Sequence, residues 1–191
     1  MQFKNAGKFI LNKLRTELPR HLSYHGIDHT MDVYGAAERI AKEKGISKYE
    51  QKLLLTAAWF HDSGFINTRE RHEEESCNIV HQYLPSYGYQ PAEIELICGI
   101  IMATRLPQTP QTYLEEILCD ADLDYLGRED FFVLSNRLFT ELQSEGLIRD
   151  EKEWNLEQAD FMANHHYHTS SSVKLRQANK EEYIKLVRSK I

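Results

Sequence analysis

Apolar residues recur at three- and four-residue steps along nearly the whole chain, the period of one face of an α-helix. Val33, Ala36, Ala37, Ile40 and Ala41 form one such stripe, and Gly45 supplies a C-terminal stop. Ser47-Lys48-Tyr49-Glu50 then has the form of a capping box, which predicts a helix over residues 48–61. Its apolar positions, Leu53, Leu54, Ala57, Ala58 and Phe60, wrap much of the circumference, so this helix should be central and buried. Gly64 ends it. Further helices are expected over residues 71–84, 91–103, 112–126, 128–144, 155–168 and 172–188, punctuated by Pro85, Gly88, Pro91, Pro107, Pro110 and Gly146. Residues 1–18 mix Lys and Arg with Phe3, Phe9, Ile10, Leu14 and Leu18. Alternating β-branched runs, internal repeats and low-complexity linkers are missing. The pattern predicts an all-α protein of one domain.

Composition narrows what such a bundle can be. Charged residues make up 27% and the hydrophobic set 41% of 191 residues, an ordinary globular balance with enough chain for a sizeable core. A net charge of -6 disfavours a long nucleic acid as partner. A small phosphorylated substrate stays compatible, because a bound cation reverses the local field. Cys77, Cys98 and Cys119 are odd in number and form no CxxC, so reduced, buried thiols are expected. The N-terminus lacks the apolar centre and cleavage site of a signal peptide, and no stretch approaches the about 20 apolar residues of a membrane span. The expectation is a cytoplasmic protein without membrane attachment.

The candidate chemistry starts at His61-Asp62, at the end of the apolar run from Leu53 to Phe60. Burying a carboxylate beside an imidazole is unfavourable unless something compensates, and a metal ion is the usual compensation. His29 lies upstream in Tyr24-His25-Gly26-Ile27-Asp28-His29-Thr30, and Asp122 downstream in Cys119-Asp120-Ala121-Asp122-Leu123. On the expected helices, His29 starts one, His61 and Asp62 end a second, and Asp122 lies on a third. Ligands gathered from several helices are normal in helical metal sites. Two imidazoles with two carboxylates suit a divalent Mn, Mg, Zn, Fe, Co or Ni ion better than a thiol-preferring metal.

The order His29, His61-Asp62, Asp122 resembles the H…HD…D pattern of the HD-domain superfamily of metal-dependent phosphohydrolases. Flanking residues carry the likeness further: His29-Thr30 with Asp32-Val33, Ala57-Ala58-Trp59-Phe60 before the pair, and Ala121-Asp122-Leu123. The resemblance implies a helical bundle of the HD type over residues 1–191. Its metal-site core would cover about 24–126, with C-terminal helices over about 128–190 packed on it. It also implies one tightly held divalent ion, with room for a second bridged by Asp62, and hydrolysis of a phosphoester by activated water. Nucleotides or similar small metabolites are the expected substrates. The first motif is similar to that of cyclic-nucleotide phosphodiesterases, where a histidine four residues before the first ligand protonates the leaving group. His25 holds that position.

Several assignments stay open on sequence alone. Asp120 competes with Asp122, or orients a ligand histidine as an acceptor behind it. His25 competes between general acid and phosphate hydrogen-bond donor. His72 matches an additional histidine of fuller two-metal HD proteins, whereas the run Glu73 to Glu75 reads as a solvated face. A second added histidine is missing from Ile101-Met102-Ala103-Thr104-Arg105, which weighs against a di-iron oxygenase. Arg69, Arg71 and Arg105 offer guanidinium to phosphate. The cluster His165-His166-Tyr167-His168 is placed at a helix end, with His165 a candidate substrate contact. The other reading is a nucleotide-binding module whose metal is structural or vestigial.

Overall fold

The computed structural model describes all 191 residues. The chain folds into nine α-helices with no strand: α1 Phe3–Glu17, α2 Ile27–Lys44, α3 Lys48–Phe60, α4 His72–Tyr83, α5 Pro91–Met102, α6 Tyr113–Asp122, α7 Phe131–Ser144, α8 Glu151–Asn164 and α9 Ser170–Arg188. Short 3-10 turns at Ser63–Ile66, Leu84–Tyr87 and Asp124–Gly127 follow α3, α4 and α6. The all-α expectation holds. The residues group into two compact units, 1–19 with 25–122, and 20–24 with 123–191. No helix is long and apolar enough to cross a membrane.

In the first unit α3 is the axis. Every residue from Leu53 to Phe60 is buried, and α1, α2, α5 and α6 all pack against it. Its start is fixed as the sequence predicts, with Ser47 Oγ accepting from Glu50 N–H at 3.2 Å and Glu50 accepting from Ser47 N–H at 3.0 Å. Gly45 closes α2 at φ 73°, a left-handed conformation that glycine adopts without a Cβ clash. Residues 1–18, given no element above, form α1. Ala6, Ile10 and Leu14 supply its buried stripe at four-residue steps among lysines that face outward.

The second unit has its own core of Tyr24, Leu123, Tyr125, Leu126, Phe131, Ala159, Met162 and Val187. Glu141, fully buried, accepts the Tyr24 N–H at 2.8 Å, and Arg176 grips Asp124 with two bonds of 2.9 Å. The expected boundaries of two helices shift. α6 stops at Asp122 and gives way to the 3-10 turn, so the helix over 112–126 is shorter than its pattern suggested. α8 begins earlier, because Asp150 caps it through Glu153 N–H at 2.9 Å, and it ends at Asn164. The histidine cluster is therefore not helical. His165 is already extended (ψ 138°), its carbonyl accepts from Lys180 Nζ at 2.5 Å, and Thr169 caps α9.

Candidate metal centre

Three helix ends deliver the site within the first unit. His29 sits in the opening turn of α2 and Asp122 closes α6. His61 and Asp62 follow the last turn of α3, where the buried axis runs out. A polar pair at that place is inside the unit by construction: His61 is 1% and Asp62 7% exposed. The Nε2 atoms of His29 and His61 lie 3.3 Å apart. Asp62 Oδ2 is 3.3 and 3.2 Å from them, and Asp122 Oδ1 is 3.2 and 3.5 Å. His29, His61 and Asp122 thus offer three ligand atoms within 4.8 Å of one another, and Asp62 adds a fourth.

The ring of His61 shows what this cluster wants. Its Nδ1 lies 2.9 Å from the Ala58 carbonyl, which can only accept, so Nδ1 carries a hydrogen. In a neutral imidazole Nε2 is then a bare lone pair, and the Asp62 and Asp122 carboxylate oxygens it faces are acceptors too. Asp62 Oδ2, buried, accepts no hydrogen bond. Buried acceptors pointed at one another are costly. Either extra protons or a cation at their focus resolves the conflict. The donor set, two imidazole nitrogens and two carboxylates, fits a divalent cation, and the Ala58 bond is the kind of outer contact that orients a metal-binding histidine.

Without a cation, protons take its place. Burial alone would lower the pKa of His29, but the carboxylates of Asp122 and Asp62 outweigh it and push the ring up to about 9. His61 moves the same way for the same reason. Burial would raise Asp62 and Asp122, yet the two imidazoles hold both well below the usual carboxylate range. Four ionisable groups therefore share charge around one point.

Beside this centre stands a stack of rings. His25 lies on Phe65 with centroids 4.3 Å apart, and Phe65 lies on His72 at 4.1 Å. His25 also meets His29 edge-on at 5.8 Å. His72 Nδ1 bonds the Arg69 carbonyl at 3.1 Å, which leaves Nε2 facing Asp62 Oδ1 and Glu73 Oε1, each at 3.6 Å. Arg105 reaches Glu73 at 3.5 Å and Glu74 at 3.0 Å. Arg69 lies over the Phe65 ring at 5.0 Å, while Arg71 is largely exposed beside Glu74.

Glu73 corrects the reading of 73–75 as a solvated face, since it is only 7% exposed and turns toward His72 and Arg105. A charged run hides one inward carboxylate because burial follows the helix phase, not the composition. Sequence reasoning also passed over Phe65 and Ser76. Ser76 Oγ donates to the His61 carbonyl at 2.6 Å and accepts from Gly64 N–H at 2.8 Å. Asp120 is fully buried, two residues from Asp122 and so about 200° around α6 from it. His165 belongs to the second unit, where it is buried and its Nδ1 lies 3.2 Å from Lys180 Nζ.

Comparison with known proteins identifies the family. Residues 26–124, just over half of the chain, match the HD domain. The chain belongs to the HD-domain family. The HD match takes in all four clustered residues and ends two residues beyond Asp122. Solved structures extend the likeness to almost the whole HD protein. One, described as a predicted HD superfamily hydrolase from an uncultured Thermotogales bacterium, is 21% identical with TM-score 0.65, over 95% of this chain and 89% of its own. A Lactobacillus plantarum protein is 20% identical with TM-score 0.71, over 99% and 96%. YpgQ of Bacillus subtilis, solved in complex with ADP, is 18% identical with TM-score 0.68, over 100% and 97%. At these identities the structures share the fold. No curated protein matches this HD sequence.

Proposed function

We propose that this HD protein is a cytoplasmic, metal-dependent phosphohydrolase that cleaves a phosphoester of a nucleotide or similar small metabolite. The convergence of His29 Nε2, His61 Nε2, Asp62 Oδ2 and Asp122 Oδ1 carries the reading. These four would hold one divalent ion. Asp62 Oδ1 lies 3.6 Å from His72 Nε2, and these two residues would help to hold a second ion. A bound divalent cation would supply Lewis acidity and lower the pKa of water toward neutrality.

The protein's own groups do the rest. His25 is half-buried, held flat against Phe65 and beside His29, where an imidazole can donate a proton to a departing oxygen. Arg105, 38% exposed, can exchange its carboxylate partners for phosphate oxygens. The ADP bound by YpgQ, a protein of the same fold, supports a nucleotide as ligand.

The test is a screen of hydrolysis in which chelator-stripped protein, reloaded with Mn, Mg, Zn, Fe, Co or Ni, meets nucleotides and an aryl phosphate. Metal-dependent release of product is expected, and Asp62→Ala should abolish it with helical content kept. Tight nucleotide binding without product from any combination would replace this reading with a binding module.

A further inference from the structure

Helices α4 and α5 pack along one another in the first unit, and each carries a cysteine at the seam. Cys77 Sγ lies 3.6 Å from the Cys98 carbonyl oxygen, and Cys98 Sγ lies 3.9 Å from that of Cys77. This reciprocal approach puts both side chains in one gap between the helices. Cys77 is half-buried, whereas Cys98 is 7% exposed. Cys119, the third cysteine, is fully buried and points away to the Ala103 carbonyl at 3.1 Å.

The pair is also unequal. The neighbouring Cys77 side chain holds the Cys98 thiol below its usual pKa, while Cys98 and burial push the Cys77 thiol up. One sulfur is thereby prepared to attack and the other to resolve. We propose that Cys77 and Cys98 form an oxidative modification site, a dithiol that a peroxide closes into a disulfide joining α4 to α5.

The chemistry balances with peroxide as the oxidant. The Cys98 thiolate attacks one peroxide oxygen, the O–O bond breaks, and hydroxide leaves behind a sulfenic acid. The Cys77 sulfur, giving up its proton, attacks the Cys98 sulfur; the S–O bond breaks, the S–S bond forms and water departs. Two thiols lose two electrons in total, and the peroxide ends as two molecules of water. The cross-link would fall on the helix that carries His72, Glu73 and Ser76, the side chains beside Asp62 and His61. The proposal is independent of the reaction assigned to the metal centre.

Brief exposure of the native chain to hydrogen peroxide, followed by intact-mass measurement and non-reducing peptide mapping, tests it. The expected product is lighter by two hydrogens, with one cross-linked peptide pair containing Cys77 and Cys98. Cys119 should stay alkylatable after unfolding, and dithiothreitol should restore the starting mass. Cys77→Ser and Cys98→Ser should each lose the cross-link; the wild-type map decides the matter even where a variant folds poorly. Oxygen gained without a cross-link, a bond to Cys119 or between chains, or no thiol consumed at all would overturn the proposal.

Discussion

Ser76 on α4 donates its hydroxyl hydrogen to the carbonyl of His61 at 2.6 Å, tying one helix to the backbone of a ligand residue on another. The same oxygen accepts the Gly64 N–H at 2.8 Å, so a single side chain spans both sides of Asp62. Backbone groups that leave a helix end must be satisfied somewhere, and here that requirement also sets the aim of the His61-Asp62 pair.

Replacing Ser76 by Ala should therefore affect stability and metal binding together. Two buried backbone groups lose their partner, a cost of about 1–3 kcal/mol. Loss of such an outer contact should weaken metal affinity about 10–100-fold. Denaturant unfolding and a metal titration on the same variant measure both. Unchanged affinity would mean that the His61 ring is held by its Ala58 bond alone.

Gly64 sits where no other residue fits. A Cβ there would lie 2.0 Å from the His72 backbone oxygen, which cannot step aside as a flexible side chain could. Gly64→Ala should cost about 1–3 kcal/mol through overpacking and should move α4 off the turn that follows Asp62. The urea midpoint reads the first effect, and weaker metal binding reads the second.

The metal-free protein should lose stability with rising pH. His29 titrates near 6.5 unfolded and at about 9 in the folded, metal-free chain. A raised pKa contributes stability that is complete below the unfolded value and gone above the folded one, here worth about 3 kcal/mol. Thermal melts across that window should show the metal-free midpoint falling. The gap to the metal-loaded protein should widen, because metal displaces protons from the imidazoles. A gap that narrows with pH would contradict the shared-charge account of the cluster.

His25 offers a test by leaving group. As general acid, His25→Ala should lower kcat about 10²–10⁴-fold on an alkyl ester while leaving KM little changed. An aryl phosphate, whose leaving group needs no proton, should be much less affected. A rise in KM with kcat preserved would instead make His25 a phosphate contact.

Parts of this fold were plain in the sequence, for local reasons. The α3 start follows from the Ser47–Glu50 box and its burial from the apolar run, so His61 and Asp62 at its end are drawn into the interior. The choice of Asp122 over Asp120 rested on the pattern of a family, since both are carboxylates on α6. Glu73 was obscured by its charged neighbours. The segment from His165 to Thr169 was misplaced because its polar composition has no period, and the His165 carbonyl just past α8 is held by Lys180, fifteen residues away. Ser76 and Phe65 gave no signal, since a serine or a phenylalanine on a helical pattern does not announce which neighbour it will hold.

The most direct measurement is the metal content of the purified chain after stripping, reloading and buffer exchange, with Asp62→Asn alongside. The four-residue centre predicts one tightly held divalent ion in the wild type and little or none in the variant, with helical circular dichroism unchanged. A wild-type chain that retains no metal, or a variant that retains as much, would contradict the assignment of His29, His61, Asp62 and Asp122 as a metal site.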